Sequence, residues 1–252
     1  MKPCLYRLAL FALFLPSALV RADEIGFDDL PAGETPAPAP ASAPELLQSC
    51  RDRLPAEPVR LTGWVRRRRA RGIVEKEFNY TAELRWADET PTVRYDLTST
   101  SGEPLFTATF RHAAGATEMA LESGPNHEPV EPPAWNTDIL GTDVTWLYLS
   151  MDFLHWEQAE LAGEAKVKGR LCDLVEVYPP TPLPGCRKVR LWVDRETRMF
   201  LQVQEITEEG KVQRQLWVRS VKKMGNRWMV QDMEVETRGA GRRTRLHVLT
   251  CE

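Results

Sequence analysis

The sequence contains none of the short motifs that commit a chain to a familiar chemistry. It has no Gly-x-Ser-x-Gly elbow, no His-Glu-x-x-His, no phosphate loop and no dinucleotide glycine pattern. Cys-x-x-Cys is also missing, so neither a thioredoxin-type redox pair nor a zinc ribbon is expected. The four histidines, His112, His127, His155 and His247, are scattered without ligand spacing. The Asp88-Glu89 and Glu208-Glu209 pairs read as turn charges rather than an acid–base couple. Catalytic residues, metal ligands and cofactors are therefore all expected to be absent. Long apolar runs are scarce too: Leu8 to Val20 covers 13 residues, against the ~20 needed to span a bilayer.

That one run has the marks of an export signal. Lys2 and Arg7 precede it, and Val20 and Ala22 suit small-residue cleavage, so residues 1–22 read as a removed signal peptide rather than an uncleaved anchor. Cys4 lies ahead of the run, where a lipobox cysteine cannot be. Loss of the leader leaves 30 basic against 36 acidic residues, a balance that argues against nucleic acid as a partner. The mature cysteines, Cys50, Cys172, Cys186 and Cys251, form an even set in an exported chain and allow three pairings. Cys172 with Cys186, flanking "CDLVEVYPPTPLPGC", and Cys50 with Cys251 is the pairing expected first; buried free thiols are the alternative.

Residues 23–44 end in "LPAGETPAPAPASAP", a Pro/Ala-rich spacer, and residues 45–252 form one folded unit. "PELLQSCRDRL" has helical apolar spacing. Strand candidates follow at Arg60–Arg69, Ile73–Trp86, Thr92–Thr98, Pro104–Arg111 and Thr117–Glu122. The pattern breaks at "SGPNHEPVEPPAW", and "DVTWLYLSMDFLHW" reads as a helix over Asp143–Trp156. Further strands are expected at Gln158–Lys168, Leu171–Tyr178, Lys188–Val193, Met199–Thr207, Val212–Lys223, Arg227–Thr237 and Arg242–Leu249. Short spacing with polar turns predicts a mainly β, meandering antiparallel sheet.

Gly225-Asn226 is a two-residue hairpin signal that sets Met224 opposite Arg227, Val221 opposite Val230 and Arg219 opposite Asp232. In this register Leu216, Val218, Met229, Met233 and Val235 share one face. Trp217, Val221, Trp228 and Val230 share the other. A one-sided meander alternates apolar with polar, so both faces of these strands are expected to be covered. The 143–156 segment shows the same excess. Beside the stripe Val144, Leu147, Tyr148, Met151 and Leu154 it carries a second one, Trp146, Leu149, Phe153 and Trp156. The segment is either a core helix or a lid over an apolar cavity.

"RRRRAR", Arg66–Arg69 with Arg71, allows two readings: a solvated, aggregation-blocking edge, or a clamp for anionic head groups by Arg67, Arg69 and Arg71 on one face. Arg238, Arg242, Arg243 and Arg245 form a second basic cluster, whose place relative to the first depends on how the sheet closes.

"ILGTDVTWLYLS", the hairpin entering "KVRLWVDRETRMFLQVQEITEEGKV" and the closing "NRWMVQDMEVETRGAGRRTRLHV" together resemble the LolA-like outer-membrane lipoprotein-sorting family of Gram-negative bacteria, over about residues 45–250. The resemblance implies a strongly curved antiparallel sheet forming a half-open β-barrel, capped by short helices. It implies an apolar cavity that receives acyl chains of lipid or lipoprotein, and partners among membrane-bound export or receptor proteins of the periplasm. The cavity arginine of the founding carrier has no matching position here. Trp146, Leu149, Phe153, Trp156, Trp217 and Trp228 are the expected cavity and lid residues. Two function classes follow: a non-catalytic periplasmic carrier or chaperone, and a non-catalytic interaction or stress-sensing module on the same scaffold.

Overall fold

The computed structural model describes residues 38–113, 116–224 and 227–252. The expected leader, the linker up to residue 37 and the Gly225-Asn226 turn lie outside these residues. One helix, α1 (Ala43–Arg51), starts the described fold. Ser42 caps it, its Oγ accepting from the Glu45 amide, and Leu46, Leu47 and Cys50 face inward.

Thirteen strands follow: β1 (Val59–Arg69), β2 (Val74–Arg85), β3 (Thr92–Thr98), β4 (Pro104–Ala113), β5 (Ala116–Ser123), β6 (Glu128–Val130), β7 (Ala159–Val167), β8 (Arg170–Val177), β9 (Lys188–Asp194), β10 (Phe200–Ile206), β11 (Val212–Met224), β12 (Arg227–Thr237) and β13 (Arg242–Cys251). They form one antiparallel sheet in the order β6-β5-β4-β3-β2-β1-β13-β12-β11-β10-β9-β8-β7. The sheet is curved and does not close, since β6 and β7 are its two edges. The expected half-open barrel is thus the observed fold.

The first and last strands pair in the middle of the sheet, with Leu61 opposite Cys251 and Arg69 opposite Arg242. The basic run therefore lies on a central strand, not an edge, and its partner strand carries the second basic cluster. Gly63 sits at a register shift in β1, where an added Cβ would overlap the His247 carbonyl and the Tyr80 ring. Glycine there lets the Tyr80 hydroxyl reach that carbonyl, 3.2 Å away.

The connection from β6 to β7 crosses the concave side from one edge to the other. The helix expected over Asp143–Trp156 is not continuous. It is a five-residue helix, α2 (Trp146–Ser150), that ends at Met151 with φ 53°, followed by a 3-10 turn at Asp152–Leu154. The β-branched Thr145 stands at the N-cap of α2 in extended conformation. The left-handed Met151 then re-aims the chain. Both apolar stripes are buried except for the half-buried Met151: Trp146, Leu147, Leu149, Phe153 and Trp156 all join the main core with Val65, Phe78, Phe110, Leu191 and Val203. A short strand, β6, occupies the segment expected to break the pattern.

Two buried ionic groups fasten this crossing segment. Asp143 accepts from Thr237 Oγ1 at 2.7 Å, Thr244 Oγ1 at 2.8 Å and Arg242 Nε at 3.3 Å. Arg214 on β11 reaches Glu205 on β10 at 3.1 Å and Asp138 at 2.6 Å. Glu205 is fully buried; burial raises its carboxyl against the pull of Arg214.

The β11–β12 pairing follows the expected register at Met224–Arg227 and Val221–Val230, but Ser220 rather than Arg219 faces Asp232. An irregularity turns Arg219 out and lets Ser220 Oγ donate to Asp232 at 2.7 Å. The apolar residues of this hairpin fall into two clusters. Leu216 and Val235 join the main core, whereas Val218 and Val221 join a second cluster with Cys172, Trp192 and Leu201.

Neither expected disulfide forms. Cys172 lies opposite Asp194 at one end of the β8–β9 ladder, while Cys186 precedes β9 at the other end, bridged to Leu183. Six residues of strand span ~20 Å, far beyond the ~7 Å limit between bonded cysteine Cα atoms. Cys50 faces inward from α1, and Cys251 Sγ lies 3.0 Å from Met229 Sδ. Burial pushes the Cys50, Cys172 and Cys186 thiols up to about 12.

The scattered histidines partly converge. His112 on β4 stacks on His155, centroids 4.2 Å apart, and donates to or accepts from Thr117 Oγ1 at 2.8 Å. Burial, then the mutual charge, lowers His112 to about 3; burial, then Arg51, lowers His155 to about 4.

Two outcomes are expected. Arg214→Met, which strands a buried carboxylate, should cost about 3–5 kcal/mol in denaturant unfolding. Adding Glu205→Leu should recover most of it; a single-variant cost below about 1 kcal/mol would show that the pair does not anchor the crossing segment. In a pH series, both imidazoles bind fewer protons folded than unfolded, so their contribution is complete above about 6.5 and is lost as pH falls towards about 4. Asp152, raised by burial, acts in the opposite sense. Replacing His112 and His155 by Phe should flatten the acid loss, and an unchanged pH slope would count against the assignment.

Candidate functional site

Between the concave sheet and the crossing segment lies an apolar cavity of about 510 Å³. Leu61, Leu84 and Tyr95 supply one wall from β1–β3. Leu149, Met151 and Phe153 supply the crossing segment's wall, and Phe200, Leu216, Met229, Met233, Leu246 and Val248 close the far side. Four methionines, Met151, Met199, Met229 and Met233, give it a wall able to adapt to ligand shape. Among the described residues, its only charged lining residues are Arg53 and Arg198. Arg198, in the left-handed conformation after β9, donates to the Pro38 carbonyl at 3.1 Å and pairs with Asp173 at 3.4 Å.

Among the described residues, the lining contains no carboxylate, histidine, serine or threonine. Its single thiol, Cys50, is held protonated by burial. What the site can do is remove apolar surface from water. A second cleft, about 800 Å³, is lined by Trp135, Trp156, His112, His155, Asp152 and Arg51 among others. It is larger but far more polar, so the smaller cavity is the better candidate for an apolar ligand. Among the described residues, no cluster of three or more His, Cys, Asp or Glu could hold a metal.

The structure divides the residues expected from sequence. Leu149, Phe153 and Trp228 line the cavity. Trp146 instead packs edge-on against Phe106, centroids 6.5 Å apart. Trp156 donates to Asp152 Oδ2 at 2.7 Å and faces the second cleft. Trp217 lies under the guanidinium groups of Arg219 and Arg243, at 5.0 and 6.0 Å. Arg67 and Arg69 both pair with Glu75 at 3.3 Å, and Arg67 also donates to the Gly141 carbonyl. Arg71 is exposed at the β1–β2 turn with φ 64°.

Sequence reasoning passed over Leu61, Leu84, Phe200, Leu246, Val248 and the two arginines. The signal for Met229 and Met233 was present, because they share a face with Leu216.

No curated protein sequence matches this chain. A family model described only as "Uncharacterized protein" matches residues 132–252. Three solved structures are similar in fold. A DUF1329 family protein from Desulfovibrio piger has a TM-score of 0.70 at 13% identity, covering 83% of this chain and 90% of that one. A protein domain from Vibrio parahaemolyticus, described as outer membrane lipoprotein-sorting, has a TM-score of 0.70 at 14% identity, covering 83% and 91%. A LolA superfamily protein from Nitrosomonas europaea has a TM-score of 0.61 at 11% identity, covering 84% and 93%. The open half-barrel described here is the LolA-like fold.

Proposed function

We propose that this protein is a non-catalytic carrier that binds acyl chains of a lipid or lipoprotein in the periplasm and serves outer-membrane lipoprotein sorting. The observation that carries the reading is the cavity of about 510 Å³ whose walls are apolar apart from Arg53 and Arg198. Acyl burial there gains ~0.8 kcal/mol per methylene, so contact area can replace specific polar recognition. The description of the Vibrio relative and the leader-like start of the chain support the periplasmic setting. Delivery and acceptance of cargo then fall to membrane-bound export or receptor proteins. The crossing segment acts as a fixed wall rather than a gate. Trp146 and Leu147 are core residues, and Asp143 ties the segment to β13 through Thr244.

Titration of lipid-stripped protein with a fluorescent long-chain acyl probe tests this. Trp228→Ala should weaken binding by roughly tenfold, about the 1.4 kcal/mol expected for losing part of one aromatic wall, with little change in stability. Trp217→Ala should leave binding unchanged. Trp146→Ala should cost about 3–5 kcal/mol of stability and affect binding only where it unfolds the protein. Failure of the stripped wild-type protein to bind any acyl probe would overturn the carrier reading and leave the interaction or sensing module.

A further inference from the structure

At the end of the β1–β13 ladder remote from Leu61 and Cys251, two turns lie side by side. Arg69 pairs with Arg242 and Arg68 with Arg243, which brings the β1–β2 turn next to the β12–β13 turn. The first turn is closed by the Arg69 amide donating to the Ile73 carbonyl at 2.9 Å. It leaves Ile73 50% and Val74 45% exposed, two of the few large apolar side chains so exposed in the described fold.

The flank of these turns is basic. A groove of about 420 Å³ is lined by Arg66, Arg68, Arg69, Arg242, Arg243 and Arg245, against two carboxylates, Glu234 and Glu236. Those two are already engaged: Glu234 by Arg219 and Arg243, Glu236 by Arg243 at 3.0 Å. Glu75 is shared by Arg67 and Arg69. Among the described residues, Arg68, Arg71 and Arg238 make no ion pair, and all three are exposed. The uncompensated charge therefore rests on these three, not on the Arg67, Arg69 and Arg71 set that strand alternation suggests.

We propose that this end of the sheet docks on an anionic phospholipid surface, with Ile73 and Val74 entering the head-group layer and Arg68, Arg71 and Arg238 contacting lipid phosphates. A free phosphate would satisfy the arginines but leave the apolar pair in water. A bilayer with anionic head groups satisfies both, because guanidinium takes phosphate bidentately while apolar side chains reach the acyl boundary. The net charge of the whole chain, −3, means that the rest of the surface carries an excess of acid. An anionic membrane repels that remainder and orients the molecule on its basic end. On this ladder the cavity is lined by Leu61, Leu246 and Val248, between the Leu61–Cys251 end and Val65, and none of Arg68, Arg71, Ile73, Val74 and Arg238 lines it. This surface is independent of the proposed acyl binding.

Vesicle co-sedimentation of the mature chain tests it. The protein should bind vesicles of phosphatidylcholine mixed with phosphatidylglycerol roughly tenfold more tightly than pure phosphatidylcholine, and added salt should weaken that binding. Ile73→Ser with Val74→Ser, and separately Arg68→Gln with Arg71→Gln and Arg238→Gln, should each reduce it by roughly tenfold. All these positions are exposed, so melting temperature and acyl-probe binding should stay at wild-type values. Equal binding to the two vesicle types, or full binding by either variant, overturns the proposal. So does binding to an acidic polypeptide such as poly-glutamate with none to vesicles, which would assign the patch to a protein partner.

Discussion

The fold depends on a buried guanidinium. Arg214 holds Glu205 and Asp138 together, joining two neighbouring strands to the start of the segment that crosses the concave face. A buried charge cluster of this kind has a large desolvation cost that only close pairing and hydrogen bonds offset. Its value lies less in net stability than in position. Once Asp138 and Asp143 are fixed to β11, β12 and β13, the chain between them and β7 can lie only inside the curve of the sheet. The hydroxyls of Thr237 and Thr244 complete the constraint by saturating Asp143, and Trp146, Leu147 and Phe153 fill the core beneath. The apolar cavity is the space this wedge does not fill.

The need for a wedge comes from topology. The chain's first and last strands pair at the centre, so consecutive hairpins spread outward and finish at two edges that never meet. An open sheet with a greasy concave face would expose that face and two unpaired ladders. The long β6–β7 connection covers the face. The edges are blunted locally: β6 has three residues with Pro129 at its middle, and β7 carries Glu160, Glu164 and Lys166 with a register shift before Gly163. Extension by another strand is thereby discouraged, while the concave side stays partly open for a ligand.

Strands were legible in the sequence because alternation is a local property. Twelve segments match β-strands within a few residues, and Gly225-Asn226 set the β11–β12 register correctly at its tip. What local pattern could not carry was long-range. The Asp143–Trp156 stretch has helical apolar spacing, yet its geometry answers to Thr244, Thr237 and Arg214, residues far along the chain, and it breaks at Met151. The same limit governs the site. Leu149, Phe153 and Trp228 were identifiable as excess apolar surface. Trp217 carried the same signal, but Arg219 and Arg243 cover it from outside. An aromatic on a two-faced strand does not say which face meets ligand. The cysteine pairing failed for a related reason: flanking a hairpin in sequence does not place two residues at the same end of its ladder.

One ladder thus joins two opposed environments. From Leu61 to Arg69, β1 advances ~27 Å and passes from cavity wall to basic tip, and β13 makes the same passage in reverse from Val248 to Arg242. The change in composition follows the curvature. Where the sheet wraps the crossing segment, inward positions need Leu and Val. Beyond it the strands project past the core, and both faces can carry arginine. Because Arg66 and Arg245 pair across the strands, like charges would repel were Glu77 and Asp232 not placed beside them at 2.5 and 2.6 Å. The acids neutralise most of the basic ladder, including its last pair, Arg69 and Arg242, and among the described residues leave Arg68 on the ladder and Arg71 and Arg238 in the flanking turns without an ion pair. Charge is therefore concentrated at the tip, where it can act on a surface without reaching the cavity.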